Sequence, residues 1–261
     1  MKWLFKLFGK KDQSKNKEVI KEPMGPPITT DMHAHFLPGI DDGAQNIGES
    51  LAIIKSLHSM GYTKLVATPH VMSDFFKNTP EIIHKALEEV RTAVKEEGIS
   101  IEIDAAAEYY LDDVFIKKLR QGEKFLTFGD NYLLMETSFI NPCIFIDEAI
   151  FLAISKGYKP VIAHPERYGY TYENNFDEIV RWKKLGALLQ INALSLAGYY
   201  SSNAKRYAER LIDEGHVDFI GTDTHKAKHL HWLEKVRKLS YYNKALGLSL
   251  LNHSIKEVPQ K

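Results

Sequence analysis

Thr30-Asp31-Met32-His33-Ala34-His35-Phe36-Leu37-Pro38-Gly39-Ile40-Asp41-Asp42-Gly43 is the stretch on which the reading of this chain turns. It sets two histidines one residue apart, then a pair of aspartates in a turn bounded by Pro38, Gly39 and Gly43. If residues 28–34 form a strand, alternation puts His33 and His35 on one face. Two imidazoles side by side suit a borderline divalent cation, and Asp42 on the following loop can fold back to add a hard oxygen ligand. A polar turn after a strand would read the same way, so a lone His-x-His is weak evidence. Its weight comes from similar clusters further along the chain.

Upstream of that stretch, Trp3, Leu4, Phe5, Leu7 and Phe8 stand among lysines. The run is too short to span a bilayer and has no signal-peptide cleavage site. Residues 1–8 read either as a peripheral contact with the inner membrane or a partner, or as a frayed tail. A charged and then Pro/Gly-rich linker follows, so residues 1–27 form an extension, the folded domain spans 28–251, and 252–261 form a tail.

Downstream, apolar stretches ending in polar residues alternate with helical periodicity. Strands are expected at 28–34, 64–68, 100–107, 132–135, 159–163, 187–192 and 217–222. Helices are expected at 46–60, 79–97, 112–120, 141–156, 176–185, 203–214 and 230–246. Seven strand–helix units in 261 residues predict an α/β fold, a single-domain (β/α)7 barrel, with an open doubly wound sheet as the competing architecture. No glycine-rich nucleotide-binding turn follows any strand.

Lys+Arg and Asp+Glu number 34 each, giving zero formal net charge, which argues against a nucleic-acid partner. The single cysteine, Cys143, excludes an intrachain disulfide and points to a reducing, cytoplasmic compartment. Position 149, where a cysteine-dependent tyrosine phosphatase would need arginine, is alanine.

The candidate ligands fall at the C-terminal ends of six of the seven expected strands: His33 and His35, His70, Glu108, Glu136, His164, and Asp223 with His225. Asp42 joins from the first loop. In a parallel barrel those ends share one rim. Each alone would more often be a loop residue or helix cap. Together, the carboxylates Asp42, Glu108, Glu136 and Asp223 would repel one another unless two or three divalent cations neutralised them. Three ions would leave a surplus of about two positive charges for a dianionic phosphate. Mixed His/Asp/Glu ligation suits Mn, Zn or Fe, and a water bridging two ions is acidic enough to act as a nucleophile. Arg167, close behind His164, can fork two donors onto a phosphate.

Read together, D-M-H-A-H-F-L-P-G-I-D-D-G, A-T-P-H, A-A-E-Y-Y, M-E-T, A-H-P-E-R-Y and T-D-T-H resemble the PHP (polymerase and histidinol phosphatase) metalloenzyme superfamily. Within it they are similar to the bacterial protein-tyrosine phosphatases of capsule and exopolysaccharide operons, the CpsB/YwqE type. The resemblance covers about residues 28–251. It implies a distorted TIM-like (β/α)7 barrel holding three metal ions, usually manganese. The implied ligands are His33, His35, Asp42, His70, Glu108, Glu136, His164, Asp223 and His225. Arg167 is implied as the phosphate ligand, with Asp42 and His70 beside it in catalysis. The implied substrate is the phosphotyrosine-rich tail of a membrane-bound bacterial tyrosine kinase controlling polysaccharide export. Some relatives have a second arginine after T-D-T-H. Here the segment reads Lys226-Ala227-Lys228-His229, so Lys226 or Lys228 would have to serve.

Phe75, Phe76, Tyr109, Phe139 and Tyr168 are candidates to line a pocket for the phenyl ring, or to pack over the rim. Two other readings stand beside this one. The first is a phosphoesterase for histidinol phosphate or another small phosphomonoester; the second is a silent, metal-stabilised regulator of the kinase. Oligomeric state is left open.

Overall fold

Parallel strands covered on both faces need near-continuous apolar runs, and helices covering them need one apolar stripe. The structure, a computed structural model, describes residues 24–172 and 176–255. The strands are β1 (Thr30–Ala34), β2 (Lys64–Ala67), β3 (His70–Val71), β4 (Glu102–Ala105), β5 (Glu108–Tyr110), β6 (Tyr132–Glu136), β7 (Lys159–Ala163), β8 (Leu188–Asn192) and β9 (Phe219–Gly221). The helices are α1 (Ile47–Ser59), α2 (Pro80–Glu96), α3 (Asp113–Gln121), α4 (Ile146–Ser155), α5 (Phe176–Lys184), α6 (Ser202–Asp213), α7 (Ala227–Val236) and α8 (Ser240–Leu246).

All strand pairs are parallel, in the orders β1-β2-β4 and β3-β5-β6-β7-β8-β9. Two expected strands are each followed by a short one that was not expected. β3 resumes β2 after Thr68-Pro69, where proline offers no N–H, and β5 resumes β4 after Ala106-Ala107. Seven strand positions therefore remain. The two edges meet where Ala34 bridges Thr224: Asp223 N donates to His33 O at 2.7 Å and His35 N to Thr224 O at 2.9 Å. The sheet curls into a barrel, and the open-sheet alternative falls.

Met32, Val66, Leu134, Val161, Ala163 and Phe219 fill the barrel, with Phe128, Tyr132 and Ile255 at its lower end. A larger apolar layer joins the outer strand faces to the helices. In α2 it takes Ile83, Ala86, Leu87, Val90 and Val94, one stripe at helical spacing. Side-chain caps start α1, α2, α3 and α6, from Asn46, Thr79, Asp112 and Ser201.

Two helices differ from expectation. α4 starts at Ile146 because Ser138 Oγ accepts from the Ile140 and Asn141 amides, turning the chain before a helix can begin at Asn141. The expected last helix is two, α7 and α8, separated by an extended Leu239. No helix among the described residues is long and apolar enough to cross a membrane. The expected contact segment 1–8, most of the linker and residues 256–261 lie outside the described residues.

Packing at the barrel's lower end runs past residue 251. Residues Leu251–Ser254 form a 3-10 turn, and buried Asn252 accepts from Ile220 N at 3.0 Å and donates to Ile220 O at 2.8 Å and Thr30 O at 3.1 Å. One amide thus ties the first strand to the last. Asn252→Ala leaves these backbone groups without that partner, and the expected loss is about 3 kcal/mol, read from the urea midpoint.

Candidate metal centre

The rim formed by the strand ends receives every residue expected there as a ligand. His33 and His35 leave β1, His70 and Glu108 open β3 and β5, and Glu136 ends β6. His164 follows β7, and Asp223 and His225 follow β9. An extra residue in β1 aids the aim. Thr30 and Asp31 pair with Lys64 and Leu65, but Ala34 already pairs with Ala67. This bulge lets Met32 enter the barrel interior while His33 still turns its ring to the rim.

A partner behind each of three rings fixes which nitrogen faces the centre. His33 Nδ1 donates to Gln190 Oε1 at 3.0 Å, and the His164 amide donates to the same oxygen. His35 Nδ1 donates to Asp41 Oδ2 at 2.8 Å, and His225 Nδ1 to the Asp223 carbonyl at 3.0 Å. Each ring then turns Nε2 inward as an acceptor. The Nε2 atoms of His33 and His35 are 3.2 Å apart. Two facing lone pairs at that distance repel unless they share a cation.

Carboxylates complete the set. Glu108 Oε2 lies 3.1 Å from His33 Nε2, 3.4 Å from His35 Nε2 and 3.2 Å from His70 Nδ1, and its Oε1 lies 2.9 Å from His164 Nε2. Glu136 Oε1 is 2.9 Å from His70 Nδ1. Asp223 Oδ1 is 3.3–3.5 Å from His33, His35 and His225. Asp42 is the least enclosed: 56% of its side chain is exposed, with Oδ1 3.4 Å from His225 Nε2 and 3.6 Å from His70 Nε2.

Three overlapping groups have ligand atoms within 4.8 Å of one another: His35, Asp42, His70 and His225; His33, His35, Glu108 and Asp223; and His70, Glu108 and Glu136. Asp223 Oδ1 and His70 Nδ1, both facing these groups, are buried without a hydrogen-bond partner. Orphaned acceptors among mixed N/O donors are what Mn, Zn or Fe would satisfy.

The electrostatics agree. Burial opposes charge on His35, yet Asp41, Asp223 and Glu108 hold its pKa well above the usual value. His70, also against burial, is raised to about 9 by Glu108 and Glu136. Burial likewise opposes ionisation of Glu108 and Asp223, but the surrounding imidazoles hold both well below the carboxylate range. The pocket demands positive charge, supplied by ring protons or by the metal ions that displace them.

The backbone is bent to suit. His164 and Asp223 adopt φ of 35° and 50°, two of the three non-glycine residues at positive φ among those described. Such conformations persist where the surroundings over-determine them. Gly43 is required because a Cβ there would lie 2.1 Å from His35 O, so the Asp41-Asp42-Gly43 turn folds directly onto His35.

The ligand atoms open into a cavity of about 530 Å³. Arg167 stands in its wall, the guanidinium between the rings of Phe139 (4.4 Å) and Tyr200 (4.1 Å), donating from Nη1 to Asp223 Oδ2 at 3.0 Å. Lys226 and Lys228 lie on the same wall. Of the five expected ring-pocket residues, only Phe139 lines this cavity. Phe76 stacks on His70 at 5.6 Å, and Phe75 is 77% exposed. Tyr109 is sent to the outer face, because Glu108 beside it in β5 points inward, and Tyr110 returns to the cavity. Tyr168 is core, its hydroxyl donating to Ala163 O.

Several supporting residues were not singled out from the sequence. Asp41 holds His35 and also accepts from His70 N at 3.2 Å. Asn192 Nδ2 donates to Asp223 Oδ2 at 2.6 Å, and Glu166 Oε1 in turn accepts from Asn192 N and Ser195 Oγ. Gln190 and Asn192 had a signal: two amides two residues apart in an otherwise apolar strand. Asp41→Ala is expected to weaken metal affinity about 10- to 100-fold by freeing the His35 ring, measured by chelator competition.

Comparison with known proteins follows the same line. The family model described as "Capsular polysaccharide synthesis, CpsB/CapC" matches residues 29–244. The tyrosine-protein phosphatase YwqE of Bacillus subtilis is 28% identical over 198 residues, 76% of this chain and 78% of that protein. The tyrosine-protein phosphatase CpsB of Streptococcus pneumoniae is 29% identical over 200 residues, 75% of this chain and 82% of that one. A crystal structure from a study of YwqE from Bacillus subtilis and CpsB from Streptococcus pneumoniae, described there as metal-dependent tyrosine phosphatases, superposes with a TM-score of 0.72 at 24% identity. It covers 88% of this chain and 100% of its own. With its strand-end ligands set around one rim, this chain belongs to the CpsB/CapC family of capsular polysaccharide synthesis.

Proposed function

We propose that this protein is a metal-dependent phosphoric monoester hydrolase acting on phosphotyrosine. One observation carries the reading: three overlapping ligand groups lie at a cavity of about 530 Å³ with a clamped arginine in its wall. The nine expected residues would hold up to three divalent ions, manganese first among those the donors suit. Such ions supply Lewis-acid polarisation of a phosphoryl oxygen and an acidified water.

The chain's own side chains do the rest. Arg167 is held flat between Phe139 and Tyr200 and presents its free guanidinium edge to phosphate oxygens. Asp223 takes one of its N–H groups and so sets the plane of the fork. Lys226 or Lys228, on the same wall, adds charge where a second arginine is absent. Asp42 and His70 flank the mouth, 3.6 Å apart, where they would hold an ion that polarises the bound phosphate. Tyr110, Phe139 and Ile140 offer an apolar wall for a phenyl ring. A phenolate leaves without much help from an acid, since tyrosine's pKa is about 10, so a site built for charge stabilisation is sufficient.

The substrate in view is the phosphorylated tail of a bacterial tyrosine kinase serving capsule or exopolysaccharide synthesis, met in the cytoplasm. The family's association with capsular polysaccharide synthesis supports that context.

The test is hydrolysis of phosphotyrosine peptides by protein reconstituted with Mn, Zn or Fe, with bound metal counted by elemental analysis. Chelation is expected to abolish turnover and lower Tm together. Arg167→Ala should reduce kcat/KM by roughly 10²–10³-fold, with Arg167→Lys intermediate. Turnover that survives both chelation and Arg167→Ala sinks the reading.

A further inference from the structure

Beyond Met72, which lines both, a second groove of about 470 Å³ adjoins the metal-centre cavity. Its floor is aromatic: the rings of Tyr109, Phe115 and Phe125 contact one another at centroid distances of 5.0–5.6 Å. Its rim is cationic, carrying Lys77, Lys118 and Lys124. Lys118 approaches Glu123 only to 4.0 Å, and among the described residues Lys77 and Lys124 pair with no carboxylate. The other acid, Asp112, is occupied, accepting from Phe115 N at 2.7 Å and Ser73 N at 3.0 Å. Thr79 and Pro80 place the positive end of the 17-residue helix α2 at the same rim.

We propose that this groove seats a second phosphotyrosine of the same peptide, its ring on the aromatic floor and its phosphate among the three lysines. The inference rests on the phosphotyrosine reading of the neighbouring cavity. An occupant must be flat and apolar at one end and anionic at the other. Aspartate or glutamate would leave the floor uncovered, and tyrosine would leave the lysines unanswered. The shared Met72 wall lets one extended chain cross from one cavity to the other. Seating the second residue raises the effective concentration of the first at the metal centre. The gain falls on KM rather than kcat, because the groove touches none of the reacting atoms.

The experiment compares peptides with one phosphotyrosine and with two, spaced about two to five residues apart, roughly 7–18 Å of extended chain. Hydrolysis of p-nitrophenyl phosphate reports the metal centre alone. Fluorescence anisotropy of labelled peptides reads binding without turnover. The doubly phosphorylated peptide is expected to show about tenfold lower KM and Kd at one spacing. Lys118→Ala with Lys124→Ala should erase that preference and leave p-nitrophenyl phosphate turnover unchanged. Equal KM and Kd for the two peptides, a preference that survives the double substitution, or the same gain from an unphosphorylated tyrosine overturns the proposal. Lysine-dependent binding preference with no hydrolysis of any substrate keeps the groove and discards the phosphatase reading instead.

Discussion

Glu108 stands within 3.4 Å of ring nitrogens on His33, His35, His70 and His164. One buried carboxylate therefore faces rings carried by three other strand positions, and most of the molecule can be understood as what holds them there. Burying a carboxylate alone would be prohibitive, and burying a cluster of imidazoles alone would leave lone pairs opposed. Each is tolerable because of the other, and the remaining imbalance is one that cations correct. The break between β4 and β5 is part of the device. It restarts the strand at Glu108, paired with His70 in β3, so both enter the pocket at the same level.

Around this centre the protein supports oxygen and nitrogen atoms in pairs. Asp223 turns Oδ1 to the imidazoles and Oδ2 to Arg167 and Asn192. It thus links Arg167 to the imidazole cluster through one carboxyl group. Asp41 plays a similar double part, joining the His35 ring, the His70 amide and the Gly43 amide. Such side chains are stiff because each carboxyl group is tied to several neighbours at once, and that stiffness is what preorganises a charge-stabilising site.

Much of this was legible beforehand, and the reasons are specific. Strand–helix alternation exposed seven strand positions, and every candidate ligand but Asp42 sat at the end of an apolar run, where a barrel rim must lie. Arg167 was legible by its place just behind His164. The ring pocket was not. Choosing Tyr110 over Tyr109 required knowing that Glu108 faces inward, and one residue of phase reverses a strand's faces. Nor was Asp41 distinguishable from Asp42, since only the folded turn puts one behind His35 and the other at the mouth. The split between α7 and α8 has no local marker, because neither glycine nor proline stands at residues 237–239.

The seam between the first and last strands carries a consequence for how the molecule is made. His33 and His35 come from one end of the sequence and Asp223 and His225 from the other, joined by direct backbone bonds and by Asn252. Contacts so distant along the chain form late and slowly. A nascent chain lacking its last forty residues holds only the first half of that clasp. A cation gripped by both halves stabilises only the closed form, so ion uptake and completion of the fold become a single event.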